Sequence, residues 1–96
     1  MEFWFDPRHT GALRIIDYKK GLIYGSDPNE PHWVVTFEKI TDDSIKVNFE
    51  NKRTHHGKQV MIAKYTNRRN SLNWPDTNQW VRIRQDPRIL LFKKFM

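Results

Sequence analysis

Large apolar residues alternate with other residues along two neighbouring stretches, residues 32–39 and 44–50. Side chains of a strand point alternately to opposite faces, so each stretch predicts a strand with one apolar face. Residues 41–43, Thr-Asp-Asp, favour a turn between them. The predicted core positions are Trp33, Val35, Phe37, Ile45, Val47 and Phe49, and the predicted solvent positions of the second strand are Lys46, Asn48 and Glu50. The pattern therefore predicts a half-buried antiparallel hairpin.

A second hairpin is predicted around Pro75-Asp-Thr-Asn78, whose residue types favour a tight turn. Before the turn, Trp74 shares its parity with Leu72, and we expect both in the core. After the turn, alternation separates Val81 and Ile83 from the residues between and beside them. We expect Val81 and Ile83 to face the core, and an outer face formed by Trp80, Arg82 and Arg84.

Further short strand-like runs occupy residues 12–17, 21–25 and 58–66, and residues 26–31 and 67–70 have the composition of loops or turns. The inward face of residues 58–66 is left open by the sequence. It is formed either by Val60 and Ile62 or by Met61, Ala63 and Tyr65. After Asp86-Pro87, residues 88–95 fit either a closing strand or a short terminal helix.

Strand signals recur roughly every ten residues, and no window has the periodicity of a helix. The 96 residues suit one domain, and a sandwich of two full sheets would be thin at this length. Closing the sheet also removes exposed edges. We therefore predict a single all-β domain over residues 1–96, a small antiparallel β-barrel of six to eight short strands in mostly meander order.

Residues 1–11 contain three consecutive aromatic residues, Phe3, Trp4 and Phe5, followed by Asp6-Pro7. We expect an aromatic N-terminal arm whose rings pack on the protein's own barrel end or on a neighbouring subunit. Glu2 stands where a signal peptide would be basic, and no apolar run reaches the ~20 residues of a membrane span. The absence of cysteine leaves the redox compartment undecided and excludes a disulfide-built secreted scaffold. The prediction is a soluble protein without a membrane partner, located inside the cell or in a virion.

The formal net charge of +6 is unevenly distributed. Residues 1–50 hold six Lys or Arg and nine Asp or Glu, whereas residues 51–96 hold eleven and two. A basic surplus confined to one half suggests either an anionic partner, which would be nucleic acid or an acidic protein surface, or a self-complementary assembly.

Nucleic-acid binding needs cations for phosphates and exposed rings for stacking on single-stranded bases. Trp80, Arg82 and Arg84 supply both on one predicted face. The predicted interface with single-stranded DNA or RNA comprises Lys58, Lys64, Arg68, Arg69, Trp80, Arg82 and Arg84. The alternative is that Trp80 packs beneath a loop or the N-terminal arm.

Candidate chemistry is sparse. His55 and His56 are adjacent, so in an extended segment they point in opposite directions and do not share one metal ion. His32, Glu30 and Arg82 are residue types that a small ribonuclease would use, but their spacing does not bring them together. The sequence has no Gly-rich phosphate loop, nucleophile elbow or paired-carboxylate motif. We predict a non-catalytic binding module with no catalytic, metal or cofactor-binding residues.

The segment from Leu72 to Ile83 contains the pattern W-x-D-x-N-x-W, formed by Trp74, Asp76, Asn78 and Trp80. It resembles the strand-turn-strand ending of short β-rich proteins encoded by large DNA viruses, although Thr77 stands where a turn glycine is usual. The resemblance implies a capsid-associated (virion) or host-interacting β-barrel that works through protein contacts rather than an enzyme. A homo-oligomer or larger assembly is predicted because exposed aromatic termini suit assembly better than a free monomer. The contacts would be Phe3-Trp4-Phe5 and residues 89–92.

Overall fold

The strands close into one barrel. The computed structural model describes residues 1–9 and 13–84, which form eight strands and no helix. Each strand pairs antiparallel with the next, and the last pairs with the first, so the order is a closed meander. The predicted fold class is confirmed. The strands are β1 Glu2–Phe5, β2 Leu13–Asp17, β3 Leu22–Asp27, β4 Glu30–Thr41, β5 Ser44–Asn48, β6 Val60–Thr66, β7 Ser71–Asn73 and β8 Gln79–Ile83.

The hairpin predicted first forms β4 and β5, which pair with Phe37 opposite Val47. Its alternating apolar residues fill the barrel, where Val35, Ile45 and Val47 are fully buried and Phe37 packs partly buried against them. The sequence left the inward face of β6 open, and in the structure this face is formed by Met61, Ala63 and Tyr65. The other parity, Val60 and Ile62, is exposed on the outside.

The predicted orientation of β8 is wrong. Trp80 is 3% exposed and faces inward opposite Leu72, whereas Val81 is 45% exposed. Arg82 lies on the same inner face as Trp80 because alternate side chains share a face. The large ring fills more of the interior than Val81 would, and Arg82 is neutralised there by a carboxylate from β1. Of the basic, aromatic face predicted from this strand, Trp80 and Arg82 therefore point into the barrel, whereas Arg84 is exposed.

Residues 2–5 are a strand of the barrel, so the prediction of an N-terminal arm is wrong for these residues. Trp4 is fully buried, with Phe3 half-buried and Phe5 exposed on the outside. The side chains of residues 2–5 alternate as in any strand. The sequence did not reveal this alternation because the outer face, with Phe3 and Phe5, is also apolar. The last two residues assigned to the arm lie outside the described residues, as does the segment 88–95 with its protein contacts 89–92.

Apolar side chains also form a row around the outside of the barrel. Consecutive strand partners place Ile83 beside Phe3, Phe3 beside Ile15, Ile15 beside Tyr24 and Tyr24 beside Val34. None of these five side chains is buried. We call these five residues the outer apolar row. It explains why parity misleads in this half of the barrel, where both faces of a strand carry apolar residues.

One end of the barrel is closed by a charged cluster around Glu2, at the start of β1. Its carboxylate accepts hydrogen bonds from Trp4 Nε1 at 3.2 Å and Tyr65 Oη at 3.3 Å. It also forms ion pairs with Arg69 at 3.2 Å and Arg82 at 3.1 Å. Since Arg69 lies 4.0 Å over the Tyr65 ring, the cluster combines charge pairing with cation–π contacts. The opposite end, where β1 finishes, is open.

Candidate functional site

A pocket of about 390 Å³ lies at the open end of the barrel. The segments that follow β1, β5 and β7 meet there because antiparallel order brings these strand ends together. We call it the mouth pocket. Its buried lining residues are Asp6, Arg14, Trp33, Phe49, Lys52, Met61, Trp74, Asn78 and Trp80, and its less buried residues are Arg8, His9, Thr54, His55, His56, Gly57 and Asp76.

Aromatic rings form much of the pocket wall. Trp74 packs against Trp80 with ring centroids 4.6 Å apart, and against Phe49 at 5.5 Å. His55 stacks on Phe49 at 4.3 Å and carries the aromatic surface toward the exterior. These packed rings give the cavity flat apolar walls.

Trp33 is fixed by a close approach of backbone. Its ring lies over Gly25, where an added Cβ would stand 2.2 Å from the ring. Gly25 is therefore required by the packing of Trp33. This contact holds the indole against the wall of β3, and its Nε1 donates a hydrogen bond to Asp27 at 3.0 Å.

A buried ion network supports Trp33. Arg14 is 1% exposed and pairs with Asp27 at 2.7 Å and with Asp6 at 3.3 Å. Lys52 reaches the same Asp27 carboxylate at 3.1 Å. Both cations lie over the Trp33 ring, at 4.8 Å for Arg14 and 5.3 Å for Lys52. The cations are thus shared between carboxylates and aromatic faces, which fixes their position.

Two carboxylates tie the surrounding loops to this network. Asp6 accepts hydrogen bonds from the Arg8 backbone N–H and Asn78 Nδ2, both at 3.0 Å, and lies 2.8 Å from His9 Nδ1. It therefore joins the end of β1 to the β7–β8 turn. Glu30 accepts hydrogen bonds from the backbone N–H groups of Arg53 and Thr54 at 2.9 and 2.8 Å. This contact anchors the segment after β5 that carries Lys52 and His55.

The β7–β8 turn is strained where it borders the pocket. Thr77 has a φ of 70°, which is unfavourable for a β-branched residue. Its hydroxyl accepts a hydrogen bond from Arg8 Nη2 at 2.7 Å, and Arg8 Nη1 pairs with Asp76 at 3.5 Å. The threonine that departs from the usual turn glycine is therefore a contact of the pocket rim.

The carboxyl groups of Asp6, Asp27 and Glu30 have pKa values below their ordinary values, which favours their ionised form. Burial raises the pKa of Asp27, but hydrogen bonds from Arg14, Lys52 and Trp33 outweigh it, and the pKa lies below its ordinary 3.8. For Asp6, burial likewise raises the pKa, and hydrogen bonds from Asn78, His9 and Arg8 lower it further than burial raises it. The pKa of Glu30 also lies below its ordinary 4.5, because backbone N–H donors outweigh desolvation.

These depressed pKa values predict loss of stability in acid. Below the ordinary pKa values the unfolded chain binds more protons than the folded chain, so the free energy of unfolding falls as pH falls through about 4.5 and below. Urea unfolding at pH 7, 5, 4 and 3 measures this slope. Asp27→Asn should flatten it, whereas the exposed Glu38→Gln serves as the control. An unchanged slope in Asp27→Asn would contradict this account of the network.

Two buried donors of the mouth pocket lack a hydrogen-bond partner. They are Nε1 of Trp74 and Nε of Arg14. Among the described residues, a third such atom, Arg82 Nε, belongs to the cluster at the closed end. Buried polar groups are nearly always hydrogen-bonded in proteins, so these two covered atoms are exceptions among the residues that line the pocket.

The predicted nucleic-acid residues do not form one face. Trp80 lies in the mouth pocket, and Arg82 lies in the Glu2 cluster at the opposite end with Arg69. The remaining four are exposed on the outside, spread from the pocket end to the closed end. They are Lys58, Lys64, Arg68 and Arg84. Arg84 and Arg68 meet, since Arg84 Nη2 donates to the Arg68 carbonyl at 3.2 Å.

The predicted protein contacts divide in the same way. Trp4 is a core residue and is not accessible to a partner, whereas Phe3 and Phe5 lie on the outer surface. The sequence interpretation missed Arg14, Asp27 and Lys52 as site residues. One available signal was the repeated Asp-Pro at strand ends, as Asp6-Pro7 and Asp27-Pro28.

No group of three or more His, Cys, Asp or Glu side chains suited to a metal ion occurs in residues 1–9 and 13–84. Over the same part of the chain, no helix has the length and apolar character to cross a membrane. No family model, curated protein or solved structure matches this chain. The resemblance of residues 72–83 to viral proteins stays a prediction.

Proposed function

We propose that the protein is a binding protein that holds a small, flat ligand in the mouth pocket. The observation that carries this proposal is an aromatic cavity with two buried donors, Trp74 Nε1 and Arg14 Nε, that have no partner. Ligand sites are commonly apolar cavities of this size with a few fixed polar groups, and barrel mouths are a frequent location.

Binding is favoured over catalysis by the state of the charged side chains. Arg8 pairs with Asp76, Arg14 with Asp6 and Asp27, and Lys52 with Asp27. Charges that are paired with one another shape and position a cavity. They are less suited to proton transfer than a group left facing the substrate.

The test uses the indole N–H signals of the four tryptophans. Titration with quinoxaline, a flat bicyclic heterocycle, should shift the NMR signals of Trp33, Trp74 and Trp80 because they line the pocket. Trp4 is an internal control, since its Nε1 is bonded to Glu2 at the closed end. A titration without shifts, or with the largest shift at Trp4, would refute the mouth pocket as a ligand site.

Nucleic-acid binding on the outside of the barrel is the second candidate. Lys58, Lys64 and Arg68 are exposed and form no ion pair with the described residues, which supports this candidate. A polyanion would bind these three side chains through its phosphates.

If this second function operates, a single-stranded oligonucleotide should bind with a steep salt dependence. Replacing both Lys64 and Arg68 with glutamine should reduce the slope of log K against log salt by about 1.4, since each phosphate contact on a single strand contributes about 0.7. The matched control replaces Lys39 and Lys46, which are paired with Asp42 and Glu38. Equal slopes in both variants would argue against this interface.

Assembly through protein contacts is the alternative that the outer apolar row supports. The row continues across five neighbouring strands and includes Phe3 from the predicted contact segment. Contiguous apolar residues on a protein surface often mark protein interfaces. The apparent mass of Phe3→Ser on a sizing column, compared with that of the wild type, tests this alternative.

A further inference from the structure

The charges around the mouth pocket balance. The cations Arg8, Arg14 and Lys52 face the carboxylates Asp6, Asp27 and Asp76, and each cation is within 3.5 Å of a carboxylate oxygen. A charged ligand would find no unpaired charge among these six groups, and the pair of Arg14 and Asp27 is buried. Breaking a buried pair is unfavourable because it leaves the other charge uncompensated. The pocket is therefore matched to an uncharged ligand.

The buried side-chain atoms of the pocket that lack a hydrogen-bond partner are all donors. Trp74 Nε1 and Arg14 Nε are both donors, and within the described residues no buried side-chain acceptor lacks a partner. A complementary ligand must then present acceptors, such as ring nitrogens or carbonyl oxygens. The neighbouring rings of Trp74, Trp80 and Phe49 supply flat apolar contacts for the remainder of the ligand.

We propose that the ligand is an uncharged, planar heterocycle whose edge carries hydrogen-bond acceptors, bound between the aromatic wall and the donors of Trp74 and Arg14. This inference rests on the proposed function of the mouth pocket. Two sources have this chemistry: a free heterocycle such as a nucleoside, and an unpaired base of a nucleic-acid strand. In the second case the exposed Arg53 and Lys58, on the segment that borders the pocket, would lie beside the flanking phosphates.

Three probes of nearly the same shape test the ligand class. Naphthalene has no acceptor, quinoxaline has two ring nitrogens, and quinoxaline-2-carboxylate adds a negative charge. Quinoxaline should bind about tenfold more tightly than naphthalene, the effect of one well-formed hydrogen bond. The carboxylate should bind no more tightly than quinoxaline. Equal affinity for naphthalene, or a tenfold gain for the carboxylate, would overturn the inference.

The outcomes separate this inference from the function on which it rests. If naphthalene and quinoxaline both shift the pocket indole signals equally, the pocket binds ligands but the acceptor requirement is wrong. If neither probe shifts them, the proposed function itself fails. Because these measurements use the wild-type protein, they do not depend on whether a variant folds.

Trp74→Phe tests the donor directly, because it removes the N–H and keeps an aromatic ring. The preference for quinoxaline over naphthalene, measured as the ratio of the two affinities in the same variant, should fall to about threefold or less. Val81→Ala, on the outside of the barrel, is the control and should keep the full preference. A tenfold preference that survives in Trp74→Phe would overturn the role assigned to this donor.

Deoxyadenosine and the strand dA12 distinguish the two sources. If dA12 binds at least tenfold more tightly per site and loses this gain in high salt, the unpaired base of a strand is the source. If the two bind equally, the source is the free heterocycle. If neither competes with quinoxaline for the pocket, the base-like chemistry assigned to the ligand is wrong.

Discussion

Replacing Arg14 with methionine should lower the free energy of unfolding by about 3–5 kcal/mol, the usual cost of removing one partner from a buried ion network. Arg14 is 1% exposed and contacts both Asp6 and Asp27. Without it, Asp6 loses its buried cation and Asp27 keeps only Lys52. Chemical unfolding in urea, followed by circular dichroism, measures the change.

Arg8→Met is the matched control for this variant. Arg8 makes a comparable pair with Asp76, but both side chains are 46% exposed, and exposed pairs are worth roughly 0–1 kcal/mol. Combining Arg14→Met with Asp6→Asn should restore part of the lost stability, because the carboxylate left without a buried cation is removed. An Arg14→Met protein as stable as Arg8→Met would show that the network does not hold the barrel together.

The second large effect is expected at Trp80. Trp80→Ala should cost about 3–5 kcal/mol because it removes a large buried ring from the pocket wall and the core. Its neighbour Val81 is on the outside, and Val81→Ala should change stability by no more than about 0.5 kcal/mol. The melting temperatures of the two variants therefore report the orientation of β8, and the reverse order would contradict it.

Much of the barrel could be predicted because β4 and β5 alternate cleanly. In β5, the polar Lys46 and Asn48 separate the buried Ile45 and Val47, so only one face is suitable for burial. In β8 the same rule fails, because Val81 is apolar but faces outward beside Phe5. Alternation divides the side chains of a strand between two faces, but it does not identify the inner face when both faces are partly apolar.

Arg82 shows why the candidate site was harder to predict. Its charge suggested solvent, yet its partner Glu2 is 80 residues away in the sequence. The mouth pocket has the same character, since Asp6, Arg14 and Lys52 come from separate segments that meet only after closure. Only the turn between Trp74 and Asn78 was recognised locally. Sites assembled from distant loops have no spacing signature in a single sequence.

Pairing of β1 with β8 also constrains how the protein is made. A nascent chain cannot close this barrel until Ile83, the partner of Phe3, has left the ribosome. Until then β1 has only β2 as a partner strand, Trp4 lacks its neighbours from the later strands, and long-range pairing of this kind is slow. We expect the incomplete chain to expose apolar surface until β8 is available. Chaperones are most needed during that interval.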